Sequence, residues 1–224
     1  MRSKLGCMTA AMLIAFALAT VVYAADAPRA PLGVKLGSGS ALWIEGTSTM
    51  HAFECRSKEV ALTLEKDAAT PDPADAAALL QLVRSGAVRG VAVRVPVVSL
   101  HSEKSGLDKN MRKAMEAEKY PEVTFRLDTH QASAATADTL AIQAAGALNI
   151  HGKERPVQLV ARAWPGDGGV WLEGSDVLLM SEYGIKPPTM MLGTVKVGDR
   201  ITVRYRLLLV PDAGASAPSV VGSK

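Results

Sequence analysis

Along most of this chain, apolar and polar residues alternate with a period of two. In "EVTFRLDTH", Val123, Phe125 and Leu127 fall on one side, with Thr124, Arg126 and Asp128 opposite. "RITVRYRLLLV" sets Ile201, Val203, Tyr205 and Leu207 against Thr202, Arg204 and Arg206. "VRGVAVRVPVVSL" puts Val91, Val93, Val95 and Val97 on one face, and "TLAIQAAGALNI" does the same with Leu140, Ile142, Leu148 and Ile150. "ALWIEGTS", "EVALTLEK", "RPVQLVARAW" and "VWLEGSDVLL" bring the set of candidate strands to eight. Such alternation means one buried face and one wet face, the mark of antiparallel sheet. Eight strands of this kind predict an all-β fold with minor helices, either a sandwich or a closed barrel. "LNIHGKERPV" and "WPGDGGVW" look like hairpin corners with glycine at the bend.

Two stretches change period. "PDPADAAALLQLVRSG" opens with Pro/Asp capping chemistry, carries Ala76, Leu79, Leu80 and Val83 at helical spacing, and stops at Gly86. "SEKSGLDKNMRKAMEAEKYP" is the stronger helix. Leu107, Met111, Ala114 and Met115 form one stripe, and Lys109, Arg112, Lys113 and Glu116 lie outside it. Tyr120-Pro121 should end that helix, because the residue before proline avoids helical angles. A narrow Leu/Met stripe must rest on something apolar, and in a closed sheet that is most simply one open end.

The ends of the chain have a different character. "MRSK", the apolar run "LGCMTAAMLIAFALATVV" and "VYA" before Ala25 fit a secretory signal peptide, residues 1–24, cleaved after Ala24. Residues 25–40 and 211–224 are rich in Pro, Gly, Ser and Ala and are expected as a flexible leader and a disordered tail. Residues 41–210 remain as a single domain. The expected location is periplasmic or secreted. Loss of Arg2 and Lys4 with the signal leaves 23 basic against 22 acidic residues, so the basic balance of the full chain does not argue for nucleic acid. Cys55 is then the one cysteine left, and packing must hold the fold without an internal disulfide.

Catalytic and metal-binding signatures are sparse. "HAFEC" spaces His51 and Cys55 four apart, but in extended chain that spans roughly 13 Å, and no third group completes a triad. His101, His130 and His151 stand singly, without C-x-x-C or H-E-x-x-H spacing, and are expected as surface or rim residues. No metal ligand set, cofactor motif or catalytic residue is assigned. The basic run from Lys109 to Lys113 is a solvated helix face, with transient contact to a membrane surface as its functional reading.

The order of "LWIEGTSTMHAF", "VPVVSLHSEKSGLDKNMRKAM", "KYPEVTFRL", "AGALNIHGKERPVQL", "MSEYGIKPP" and "KVGDRITVRYRLLL" resembles the YceI-like family of exported bacterial lipid- and polyisoprenoid-binding proteins. The resemblance covers roughly residues 40 to 209. It implies an eight-stranded antiparallel barrel of lipocalin-like shape, whose apolar interior holds an isoprenoid chain or another amphiphile. Where the best-known branch carries Arg-Asp-x-His-Leu, this chain has "LDKNM", so that branch's polar contacts do not carry over.

These readings place an apolar pocket and mouth at Leu107, Met111, Met115, Phe125, Met180, Tyr183, Ile185, Met190, Met191, Trp43 and Phe53, with His51 on a polar rim. Flexible thioethers suit an irregular apolar lining, and Pro187 and Pro188 would stiffen the rim and prevent edge pairing. The expected function is non-enzymatic sequestration or transport of a long-chain apolar amphiphile: an isoprenoid, a quinone-like molecule or a fatty lipid. Two alternatives stand beside it. One is a solid barrel whose rim, including "IKPPTMML", docks a protein partner; a homodimer stands as a separate partner reading. The other is a periplasmic enzyme using His51 near the mouth.

Overall fold

The computed structural model describes residues 28–190 and 194–212; the expected signal peptide, Met191 and most of the expected tail lie outside them. Twelve strands and two helices are present among the described residues. The strands are β1 (Arg29–Pro31), β2 (Val34–Leu36), β3 (Ala41–Ser48), β4 (Ala52–Ser57), β5 (Ala61–Asp67) and β6 (Val88–Pro96). They continue with β7 (Glu122–Ala134), β8 (Leu140–Ile150), β9 (Lys153–Gly166), β10 (Gly169–Leu179), β11 (Thr189–Met190) and β12 (Val195–Pro211). Helix α1 (Ala76–Ser85) precedes β6, and α2 (Ser105–Ala114) lies between β6 and β7.

The strands join in the order β1-β5-β6-β7-β8-β9-β10-β12-β3-β4, with β2 and β11 also on β12. The two ends of this path meet. The Arg56 N–H donates to the His101 carbonyl at 2.7 Å, and the His101 N–H returns to the Arg56 carbonyl at 3.0 Å. That bridge lies two residues out of step with the β5–β6 ladder, in which Ala61 faces Arg94. β4 and β5 are thus two halves of one bent strand. Counted this way the wall has eight positions: β3, the β4–β5 pair, β6 to β10, and β12. The eight alternating segments of the sequence all form strands. β4 is an additional one, and β1, β2 and β11 are short supplements.

Residues 29–36 correct the expectation of a flexible leader. β1 pairs with β5, β2 pairs with the end of β12, and Leu32 between them is buried and donates its N–H to Leu64 at 2.8 Å. The segment bridges the seam where β3 and β4 no longer reach. Leu32 carries apolar area into the core, which outweighs the weak local preferences of a Pro/Gly-rich sequence.

Both hairpin corners form as expected. His151-Gly152 and Asp167-Gly168 each place two successive residues at positive φ, the signature of a tight turn matched to strand twist. α1 begins where Asp75 accepts the Ala78 N–H at 2.8 Å and ends at Gly86 in the left-handed conformation. α2 is shorter than the sequence suggests. It stops at Ala114, and Glu116 turns the chain at φ 46°, so the helix ends before Pro121 exerts any effect. Among the described residues no helix is long and apolar enough to cross a membrane.

Candidate functional site

The inward faces of the wall strands enclose a cavity of ≈ 300 Å³, lined almost wholly by apolar side chains. That volume falls at the lower end of the range for small-molecule sites. Strand alternation puts these residues there. Val91, Val93 and Val95 of β6, Val123, Phe125 and Leu127 of β7, and Ile201, Val203, Tyr205 and Leu207 of β12 all line the bore. The arginines and threonines between them face out.

Most of the expected pocket residues converge on this space. Phe53 and Phe125 enter from the wall, Leu107, Met111 and Met115 from α2 and its C-terminal end, and Met180, Tyr183 and Ile185 from the segment after β10. That segment both packs and lines: Tyr183 and Ile185 are buried in the core cluster at the α2 end while also facing the cavity. Gly184, at φ 74°, turns the chain between them. Pro188 also lines the bore, and its carbonyl accepts the Val197 N–H at 3.0 Å. Met190 contributes backbone pairing with Val195 in β11, and Met191 lies outside the described residues.

Trp43 is a correction. It alternates with Leu42 and Ile44, which line the bore, and so faces outward, where the Arg56 guanidinium stacks 4.9 Å from its ring centre. Strand parity decides this, and indole size does not override it. His51 is exposed at the rim, its Nε2 3.5 Å from Lys104 Nζ. Cys55 instead points into the bore, buried, so the two residues of "HAFEC" occupy different environments. Burial first, then the charges of Asp108 and Glu54, pushes the Cys55 thiol up to about 11. It is protonated at neutral pH.

The polar groups near the bore are few. Burial, with the Asp176 charge beyond it, pushes the Tyr205 phenol up to about 12. Asp108 fixes the entry to α2. Its carboxylate accepts the Ser102 N–H and hydroxyl, both at 2.7 Å, and its other oxygen lies 3.3 Å from His101 Nδ1. Burial would raise this carboxyl, but the Ser102 and His101 contacts outweigh it and hold the pKa below the ordinary value. Among the described residues no group of three His, Cys, Asp or Glu side chains is placed to hold a metal ion.

One side of the wall is open. β9 and β10 pair from Gly166–Gly169 to Ala161–Gly174 and then part, although β9 reaches back to Lys153 and β10 runs on to Leu179. Leu159, Asp176, Leu178 and Leu179 line the bore along this fork. Val160 and Val177 stand outside it, 64% and 47% exposed. At the far end, His151 Nδ1 lies 3.3 Å from the Tyr183 carbonyl and Arg155 lies 3.7 Å from Glu182, tying the segment after β10 back to β9.

His130, expected as a surface or rim residue, is half-buried and lines the bore. An extra residue in β7 is the reason. Leu127 faces Gly146 and Thr129 faces Ala145, so Asp128 is a bulge. Beyond it the parity reverses, and His130 turns inward. Gly146 permits the bulge, since a Cβ there would sit 2.3 Å from the Arg126 carbonyl. In the sequence only that glycine, on the neighbouring strand β8 opposite Leu127, hints at the reversal.

An antiparallel barrel around an apolar bore, open along the β9–β10 fork, defines the class: a barrel of lipocalin-like shape. A match to the YceI-like domain over residues 41–209 goes further, and the chain belongs to the YceI-like family. Two solved structures share the fold. A polyisoprenoid-binding domain from Saccharophagus degradans, implicated in plant cell wall breakdown, superposes with a TM-score of 0.58 at 11% identity, over 80% of this chain and 99% of its own. BcnA of Burkholderia cenocepacia gives 0.54 at 14% identity, over 75% of this chain and 94% of its own. Among curated proteins none matches the sequence.

Proposed function

We propose that this protein is an exported, non-enzymatic carrier that sequesters a long-chain apolar amphiphile in its bore. The observation that carries the reading is the continuous apolar lining, contributed by every position of the wall and by α2. The polyisoprenoid-binding fold relative from Saccharophagus degradans supports the same ligand class. Binding is driven by transfer of chain surface out of water, at about 25 cal/mol per Å2. Isoprenoid, quinone-like and fatty chains all satisfy that requirement.

The decisive measurement is native mass spectrometry of protein gently extracted from a lipid-rich host, followed by titration with alkyl chains of rising length. A co-purifying amphiphile is expected. Affinity should rise by about 0.8 kcal/mol per added methylene until the bore is filled. Ligand-free protein that takes up none of these chains would defeat the reading.

A further inference from the structure

Three buried side-chain nitrogens among the described residues lack a hydrogen-bond partner, at Arg112, His130 and His151. His130 alone of the three belongs to the lining of the bore. Leaving a buried polar nitrogen unpaired costs stability, and native structures rarely tolerate it without a reason. The cost here is not incidental to strand parity, because the chain spends a bulge to create it. Without the extra residue at Asp128, the alternation of Val123, Phe125 and Leu127 would leave His130 in solvent with Arg126. Bulges commonly serve to re-aim a side chain. Opposite His130 in the β7–β8 ladder stands Ala144, also lining the bore, a side chain small enough to leave room beside the imidazole.

We propose that His130 is a polar subsite inside the bore, forming one hydrogen bond to a neutral oxygen group (a hydroxyl, carbonyl or ester) carried by the bound amphiphile. This rests on the bore being the ligand site and narrows what enters it. The charge around the subsite selects against anionic groups. Among the described residues no lysine or arginine lines the bore, and the one carboxylate that does, Asp176, adds negative charge. A phosphate drawn in to His130 would be desolvated with no lysine or arginine of the described lining to pair it and with the Asp176 carboxylate in the same bore. The ligand is therefore an amphiphile whose neutral polar group is swallowed with its chain, and a phosphorylated chain must leave its headgroup outside.

The test uses delipidated mature protein and the hydrocarbon fluorophore diphenylhexatriene, which has no polar atom. Dodecane, 1-dodecanol and dodecyl phosphate compete for it in wild type, His130→Leu and His130→Gln. In wild type, dodecanol should displace the probe about tenfold better than its hydrocarbon parent, the worth of one buried hydrogen bond. That preference should vanish in His130→Leu, return in part in His130→Gln, and not extend to dodecyl phosphate. The 15N shifts of the His130 ring in wild type should move on adding dodecanol but not dodecane, a readout independent of any variant's folding. An alcohol preference unchanged in His130→Leu, or ring shifts that do not distinguish the two ligands, overturns the subsite while hydrocarbon binding leaves the carrier reading standing. Failure of every variant to bind the fluorophore defeats the carrier reading, and the subsite with it.

Discussion

The two ends of the barrel are closed by helices of equal length and opposite character. α1 is capped at both ends, by Asp75 and Gly86, and drives Leu79 and Leu80 fully into a core cluster with Leu140, Val170 and Leu209. It packs closely on β7, β9, β10 and β12. α2 has no side-chain N-cap, and its apolar residues Leu107 and Met111 are only half-buried, facing the cavity. The one buried residue within it is Asp108, held by the loop before the helix instead of by the wall. The fork between β9 and β10 lies at this same end. One end is built mainly as core, with Val83 of α1 reaching the cavity, and the other as a cover over space. The same hydrophobic effect acts at both; what differs is whether protein atoms fill the volume the helix faces.

Substitutions should separate the ends. The largest effect belongs to Leu79→Ala, which opens a void in filled core and should cost about 3 kcal/mol in urea unfolding. Met111→Ala removes side-chain atoms that already face a cavity, and should cost under about 1 kcal/mol while weakening uptake of alkyl chains. Equal destabilisation by the two would erase the distinction between core and cover.

An intermediate effect is expected at Asp108. Its carboxyl is held below the ordinary value, so its contribution is complete above that value and lost as the pH falls through the depressed one. Asp108→Asn should therefore destabilise the protein by about 1 kcal/mol at neutral pH, with the difference from wild type shrinking below about pH 4, near the unperturbed pKa of an aspartate. A difference that stays constant down to pH 2 would remove Asp108 as the anchor of α2.

The fork is sharpened by hydrogen exchange. Backbone amides of β10 from Ser175 to Leu179 that face β9 have no ladder partner there and should exchange far faster than those from Gly169 to Gly174. Uniform protection along β10 would mean the wall closes in solution.

The smallest signal is chemical. Cys55 lines the bore as a thiol with its pKa raised to about 11, so polar alkylating reagents should modify it slowly. A bound alkyl chain should slow an apolar maleimide further. Labelling indifferent to ligand would show that chains do not reach the level of Cys55.

Much of this was legible in one dimension. Alternation identified the eight wall strands, and the same parity that put Phe125 and Val203 inside could have put Trp43 outside, had strand phase been weighed above side-chain size. The α2 stripe of Leu107, Met111 and Met115 pointed to the cavity because an amphipathic helix between two strands of a closed sheet has little else to cover. The leader strands were not legible, since β1 and β2 owe their order to partners 38 and 173 residues away, Arg29 with Asp67 and Leu36 with Leu209.

The sequence by itself determined which faces of the strands are apolar, where the hairpins turn and which helix is capped, because these depend on neighbours within a few residues. Tertiary structure alone decided that β4 and β5 act as one bent strand, that β9 and β10 part, and that His130 faces inward. Each of those follows from register between distant strands, where one inserted residue reverses every side chain beyond it.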